Sequence, residues 1–237
     1  MRRDQPRRVV SLVPSLTESV AATAPELLVG VTDWCSHPAD LAAIRVGGTK
    51  NPRVEEVVAL RPDVVLVNEE ENRAVDIGAL RSAGINVWMT DYESVSAALA
   101  GLARMLEMLG IGKPQWLSDA DGAWRQPWSG ERCTALVPIW RRPWMALGRD
   151  TFAGDVLRRV GVENVLAASA ERYPRIDLDE VPSYDVVVLP DEPYAFSATD
   201  GPEAFAAPAR LVSGRHLTWY GPSLAEARGV LVKQLWR

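Results

Sequence analysis

Two segments half a chain apart carry nearly the same message. RPDVVLV at 61–67 returns as SYDVVVL at 183–189, with the aspartates 122 positions apart. VVSLVP at 9–14 returns as CTALVP at 133–138, with the prolines 124 positions apart. NVWMTDY (86–92) and LTWYGPS (217–223) each lead into a helical pattern. In a chain of 237 residues, a near-constant offset of about half the length means that one supersecondary unit is built twice. The expectation is two similar lobes and not one continuous sheet.

Each lobe alternates strand and helix. RVVSLV (8–13), LLVGVT (27–32), DVVLVN (63–68) and INVWMT (85–90) are short apolar runs of buried-strand type. Ser15-Leu16-Thr17-Glu18 has the spacing of a capping box, and Asn51-Pro52 reads as an N-cap followed by proline at the first helical position. Gly84 closes one predicted helix, and Ser94 caps a longer one that runs to Gly110. This alternation predicts an α/β chain whose parallel sheets are flanked by helices. The domains are expected at 1–93 and 131–237, with a mostly helical connector over 94–130 that GIGKP interrupts.

Composition narrows the function. A formal net charge of −5 offers no footprint for nucleic acid, and no apolar run is long enough to span a membrane. Two cysteines, Cys35 and Cys133, are too few for a disulfide framework, though they could still pair. The basic opening MRRDQPRR is followed by too short an apolar run for an export signal, so an intracellular location is expected if the start is correct. There is no dinucleotide or phosphate-loop glycine motif, nucleophile elbow or zinc-protease helix, and two histidines leave little general-base chemistry. No enzyme is expected.

In open α/β sheets ligands collect beyond the carboxyl ends of the strands. Those positions here are rich in aromatics and charge: Pro14-Ser15, Asp33 to His37, Asn68 to Asn72, Trp140 to Trp144, Asp191 to Tyr194, and Trp219. Nine tryptophans against three phenylalanines is an unusual ratio, and four of them (Trp34, Trp140, Trp144, Trp219) fall near predicted strand ends. With Tyr194 they suit a broad, flat, partly apolar ligand, because aromatic walls bury large area at low entropic cost. The competing role for each is a place in a lobe core. Arg141 could grip polar groups at a ligand's fringe or pair with acids of the facing lobe. Asp33, Cys35 and His37 could bind zinc or supply an axial ligand, although Pro38 suggests a turn instead. Glu69, Glu70 and Glu71 read as a solvated loop, as acceptors facing a cleft, or as a docking patch.

The strings RVVSLVPSLTE, LVGVTDWCSHP, VGGTKNP, LRPDVVLVNEEENR, IWRRPWMALGRDTFAGDVLRRVGVENVL and LTWYGPS resemble ABC-transporter substrate-binding proteins of the helical-backbone, metal-chelate class. Within it they are most similar to the cobalamin-binding proteins. That resemblance implies two Rossmann-like lobes joined by a long helix (the class III periplasmic-binding-protein fold) and an interlobe cleft that binds a chelate without catalysis. The strand-end positions expected to meet that ligand are Pro14, Ser15, Trp34, His37, Asn68, Asn72, Trp140, Arg141, Trp144, Tyr194 and Trp219. No cofactor is implied beyond the ligand itself, a corrinoid such as cobalamin or an iron chelate, with His37 as the one candidate axial ligand to its metal. The implied partner is a transporter permease, met by Glu69, Glu70, Glu71, Glu192 and Glu203 of a monomeric, extracytoplasmic protein. Three alternatives remain: an intracellular corrinoid carrier or sensor, a haem or ferric-siderophore binder, and a two-lobed Rossmann transferase.

Overall fold

The computed structural model describes residues 5–236. They divide into two compact units, neither of which is one continuous stretch. The first runs through Asp91 and includes Leu99–Ser118 and Tyr220–Pro222; the second holds Tyr92–Ala98, Asp119–Trp219 and the chain from Ser223.

In the first unit the elements run β1 (Val9–Ser11), α1 (Pro14–Ala21), β2 (Leu28–Val31), β3 (Ile44–Arg45), α2 (Val54–Ala59), β4 (Val64–Asn68), α3 (Ala74–Ser82) and β5 (Val87–Thr90). They form a five-stranded sheet in the order β3-β2-β1-β4-β5. Every pairing in it is parallel. All five residues of β4 are buried, as a continuous apolar run demands when both faces are covered. Val10, Leu12, Val65 and Val67 meet Val57 of α2 and Ile77 and Leu80 of α3 in one core cluster. Each such aliphatic contributes roughly 1.5–3 kcal/mol on full burial.

Two helix starts differ from the sequence expectation. α1 begins at Pro14 with Val13 at its cap, so Ser15 lies inside the helix and caps nothing. Proline's fixed φ and missing N–H make it the better first helical residue, and it displaces the start by one position. α2 begins at Val54, because Pro52 is drawn into an antiparallel bridge with Gly47.

Ser94 accepts a hydrogen bond from the Ala97 amide at 3.2 Å and opens α4 (Val95–Met108); α5 (Gln115–Arg125) follows. The connector is therefore two helices. Gly110 and Gly112 both adopt φ +77°, and Pro114 cannot donate to a continuing ladder, so the helix stops there.

The second unit continues with β6 (Cys133–Leu136), β7 (Pro138–Trp140), β8 (Met145–Ala146), α6 (Phe152–Arg159), β9 (Val162–Asn164), β10 (Val186–Pro190), β11 (Ala209–Val212), α7 (Gly214–Thr218) and α8 (Leu224–Leu235). Its four-stranded sheet has the order β11-β10-β6-β9, with every pairing parallel. The repeat diverges at one point. Pro14 opens a helix, whereas its counterpart Pro138 opens β7 of an antiparallel hairpin with β8, and Arg141 to Trp144 form its turn.

The repeated aspartates explain the clearest echo in the sequence. Asp63 Oδ2 accepts the Arg7 and Arg8 amides at 2.7 and 2.9 Å, at the start of β1. Asp185 Oδ2 accepts the Thr134 amide and hydroxyl at 2.7 and 2.8 Å, within β6. In each unit an aspartate ahead of one central strand pins the beginning of its neighbour. Those bonds hold the Asp185 carboxyl below its usual range.

Both cysteines are free. Cys35 is fully buried, its sulfur 3.0 Å from Thr17 Oγ1 and 3.2 Å from Thr32 Oγ1, and burial pushes its thiol above the ordinary value. Burial, then the nearby Asp185, raises the half-buried Cys133 as well. A thiol-reactive disulfide reagent is expected to modify Cys133 slowly in the native protein and Cys35 only in denaturant. Prompt reaction of both would contradict this burial.

Candidate functional site

The topology singles out one position in each unit. Strand order reverses between β1 and β4 in the first sheet and between β6 and β10 in the second. Beyond the carboxyl ends of such neighbouring strands an α/β sheet leaves its natural ligand crevice. Pro14 and Asn68 to Asn72 stand there in the first unit; Trp140 to Trp144 and Asp191 to Tyr194 stand there in the second.

In the first unit the loops at this end are stitched together by buried amides. Asn68 Oδ1 accepts the Glu70 and Glu71 amides at 2.8 and 3.0 Å. Its Nδ2 donates to Thr90 O at 3.1 Å and to Tyr220 Oη at 2.8 Å. Asn72 Oδ1 accepts the Asn68 amide at 2.8 Å, and its Nδ2 donates to Leu12 O at 3.2 Å and Thr49 O at 3.0 Å. Lys50 donates to Glu70 O. Two asparagines thus finish a buried strand and turn the chain outward. Asn68 and Asn72 are 4% and 3% exposed, so their side chains are committed to the loop framework, while Glu69 and Glu70 lie at the surface and Glu71 is half-buried.

Tyr220 reaches Asn68 because Gly221 approaches α1 closely. A Cβ on Gly221 would stand 2.9 Å from both Ser15 O and Ser19 Oγ, so the WYGPS string needs glycine at this point. Pro14 is half-buried, and Ser15 is buried with its hydroxyl unpartnered among the described residues.

The loop after β2 separates the members of the Asp33-Cys35-His37 string. Cys35 turns inward to the threonines, Asp33 and His37 are exposed, and the His37 Nδ1 lies 3.1 Å from Ser36 Oγ. The three do not form a donor set. Among the described residues no group of three or more His, Cys, Asp or Glu side chains is placed to hold a metal ion. Trp34 projects from the same loop and is 68% exposed.

The second unit gathers aromatics at its own switch point. Trp140 meets Tyr194 edge-on at 5.7 Å, Tyr194 meets Phe196 at 4.6 Å, and Trp144 packs on Phe196 and Phe205 at 6.1 and 5.3 Å between ring centroids. The Arg141 guanidinium lies 5.2 Å from the Trp144 ring centroid. It also pairs with Asp200 and, at 2.6 Å, with Glu203. From sequence Arg141 has two roles open, gripping a ligand's fringe or pairing with acids of the other lobe; the structure pairs it with acids of its own unit, 59 residues along the chain for Asp200. Tyr194 donates its hydroxyl to Asp200 Oδ2 at 2.6 Å. That bond raises the phenol above its ordinary value and lowers the carboxyl below its own.

Trp140 is 43% exposed, while Trp144 and Tyr194 are half-buried against the Val187, Leu189, Phe196 cluster. Trp219 is also half-buried and donates from Nε1 to Glu192 Oε2 at 3.3 Å. Burial pushes the Glu192 carboxyl upward. Glu203 is exposed but held by Arg141. Sequence reasoning does not single out Asp200, Phe196, Phe205, Lys50 or Arg45, because none completes a local pattern.

Comparison with known proteins gives a consistent result. Residues 9–111 match the family model described as periplasmic binding protein. An uncharacterized ABC transporter substrate-binding lipoprotein of Bacillus subtilis, YvrC, is 27% identical over 222 residues, covering 88% of this chain and 68% of its own. The periplasmic vitamin B12 binding protein BtuF of Vibrio cholerae superposes with TM-score 0.79 at 18% identity, over 98% of this chain and 97% of that one. A periplasmic heme binding protein of Pseudomonas aeruginosa superposes with TM-score 0.73 at 23% identity, over 96% and 91%. The fold is that of the periplasmic binding proteins, and the resemblance carried by the sequence strings holds.

Proposed function

We propose that this chain, alike to the periplasmic binding proteins in fold and along its first half, is a non-catalytic receptor for a flat metal chelate. The favoured ligand is a corrinoid such as cobalamin, delivered to an ABC importer outside the cytoplasm. The observation that carries the reading is an exposed indole in each unit: Trp34, on a loop held by Arg45, and Trp140, beside an Arg141 already engaged by Asp200 and Glu203. Exposed aromatics on a preorganised loop bind flat apolar surface with little further ordering cost.

Charge favours an amide-fringed corrinoid over a haem. Haem brings two carboxylates. Asp33, Glu69, Glu70 and Asp191 already lie exposed at the strand ends, and the Arg141 fork is engaged by Asp200 and Glu203. Tyr194, which gives its proton's hydrogen bond to Asp200, is poorly disposed to become the anionic oxygen ligand that ferric haem takes from tyrosine. Neutral amides suit carboxylate acceptors better. In this reading Glu69 and Glu70 remain at the surface to meet basic residues of a permease.

Titration of the purified protein with cyanocobalamin, haemin and a ferric siderophore, followed by tryptophan fluorescence, tests the proposal. Quenching by cyanocobalamin at the lowest concentration is expected, and silence with all three would overturn chelate binding. Trp34→Ala and Trp140→Ala are each expected to weaken binding about tenfold, close to 1.4 kcal/mol. These are cleaner probes than Trp144, whose removal would open the aromatic cluster around Phe196 and Phe205. An unchanged affinity in either variant removes that indole from the site.

A further inference from the structure

A lone exposed tryptophan is ordinary on a protein surface. What is unusual about Trp34 is the restraint on the backbone beneath it. The carbonyls that bracket it, Thr32 O and Cys35 O, both accept from Arg45 Nη1, each at 2.8 Å. Arg45 sits on the edge strand β3, ten residues from Cys35 along the chain, and is itself held: Arg53 Nη2 donates to Arg45 O at 2.6 Å, and the Arg53 amide to Val46 O at 2.7 Å. The Asp33 amide donates to Gly47 O at 2.9 Å, and the Cys35 sulfur is lodged between Thr17 and Thr32. The indole leans over Gly48, where an added Cβ would lie 3.4 Å from Trp34 Nε1.

A charged donor shared between two carbonyls makes hydrogen bonds about twice as strong as neutral ones. Here that strength acts on the backbone that flanks one exposed indole. The carbonyls lie on either side of Trp34, so fixing both fixes the direction in which its Cα–Cβ bond points. Building the same turn without the guanidinium would leave Trp34 to be ordered at the moment of binding, an entropic cost that weakens the complex.

We propose that Arg45 is a positioning residue for Trp34. It presets the indole on the loop after β2 and thereby governs how tightly a flat chelate is held, without touching the ligand. This inference rests on the chelate-binding reading, and its test has one arm that needs no ligand. The protein is labelled with 5-fluorotryptophan, and the Trp34 fluorine resonance is identified by its loss in Trp34→Phe. In Arg45→Met that line is expected to move to the position of a solvent-averaged indole. Arg45→Lys, which keeps a cationic donor, should restore it in part. The second arm measures cyanocobalamin affinity in Arg45→Met, Trp34→Ala and the double variant. Arg45→Met should weaken binding about tenfold, and the double variant should bind no more weakly than Trp34→Ala alone.

A Trp34 line unchanged in Arg45→Met overturns the proposal, and so do losses that multiply in the double variant. A line that moves as expected in a protein that binds no chelate defeats the binding reading, while the hold of Arg45 on the indole stands. Thermal unfolding of each variant separates a general loss of stability, which Trp34→Ala would not cancel.

Discussion

Asp155→Ala is expected to lower the unfolding free energy by about 3 kcal/mol, the cost of breaking a buried ion pair from one side. Asp155 is 9% exposed and serves three donors within the second unit. Arg158 binds one oxygen; Arg159 Nε at 2.7 Å and the Val95 amide at 2.9 Å share the other. Arg159 then reaches Ser96 Oγ at 3.0 Å and the Trp124 carbonyl at 3.4 Å. One carboxylate therefore binds α6 to the first turn of α4 and stands where a helix N-terminus favours negative charge. Alanine would leave the Arg159 guanidinium half-buried beside an unsatisfied Val95 amide. Urea unfolding checks the result, and a loss under about 1 kcal/mol would show that water replaces the carboxylate at little cost.

The pH dependence of this contribution has a definite sign. Burial pulls the Asp155 carboxyl upward, but hydrogen bonds from Arg159, the Val95 amide and Arg158 outweigh it and bring it below its usual 3.8. A depressed native value adds stability above the unfolded value, and that stability is lost as pH falls through the native one. The gap between the wild type and Asp155→Asn should stay constant from neutral pH down to about 4 and close below it. A gap that widens in acid would contradict the pairing.

Asn68→Ala should cost about 2–3 kcal/mol, the scale of several buried hydrogen bonds lost together. Its amide accepts from two backbone N–H groups and donates to Thr90 and Tyr220, and almost no solvent reaches the space it fills. Asn68→Asp is expected to be no better, since an oxygen in place of Nδ2 would face the Thr90 carbonyl and bury a charge. Hydrogen exchange gives the sharper readout. The Glu70 and Glu71 amides should lose protection in Asn68→Ala while those within β4 keep theirs. Uniform loss along the strand would mean that Asn68 supports the whole sheet and not this loop.

Two asparagines, and not the three glutamates between them, carry the chain out of the buried strand β4. Apolar alternation, the half-chain repeat and the tryptophans at strand ends are readable because each is a local pattern with a known period. So are the Ser94 cap and the closing turn at Gly84, which depend on residues within a few positions. The repeat also foretells paired aspartates without saying what they hold. It stops at Pro138, where the same Val-Pro step opens a hairpin while Pro14 opens a helix, because the residues after the proline decide between the two.

Local pattern was enough to establish that one parallel α/β unit is built twice, which loops stand at the strand ends, and which of those loops are aromatic or acidic. Which polar groups are already satisfied became visible only in three dimensions. Asn68 meets Tyr220 across 152 residues and Arg141 meets Asp200 across 59, and no local pattern encodes partners so far apart. A buried donor or acceptor takes whatever partner folding brings to it. For that reason the hydrogen bonds that tie Asn68 and Asn72 into their loop, and the Arg45 guanidinium that holds the backbone around Trp34, emerge only in the folded chain.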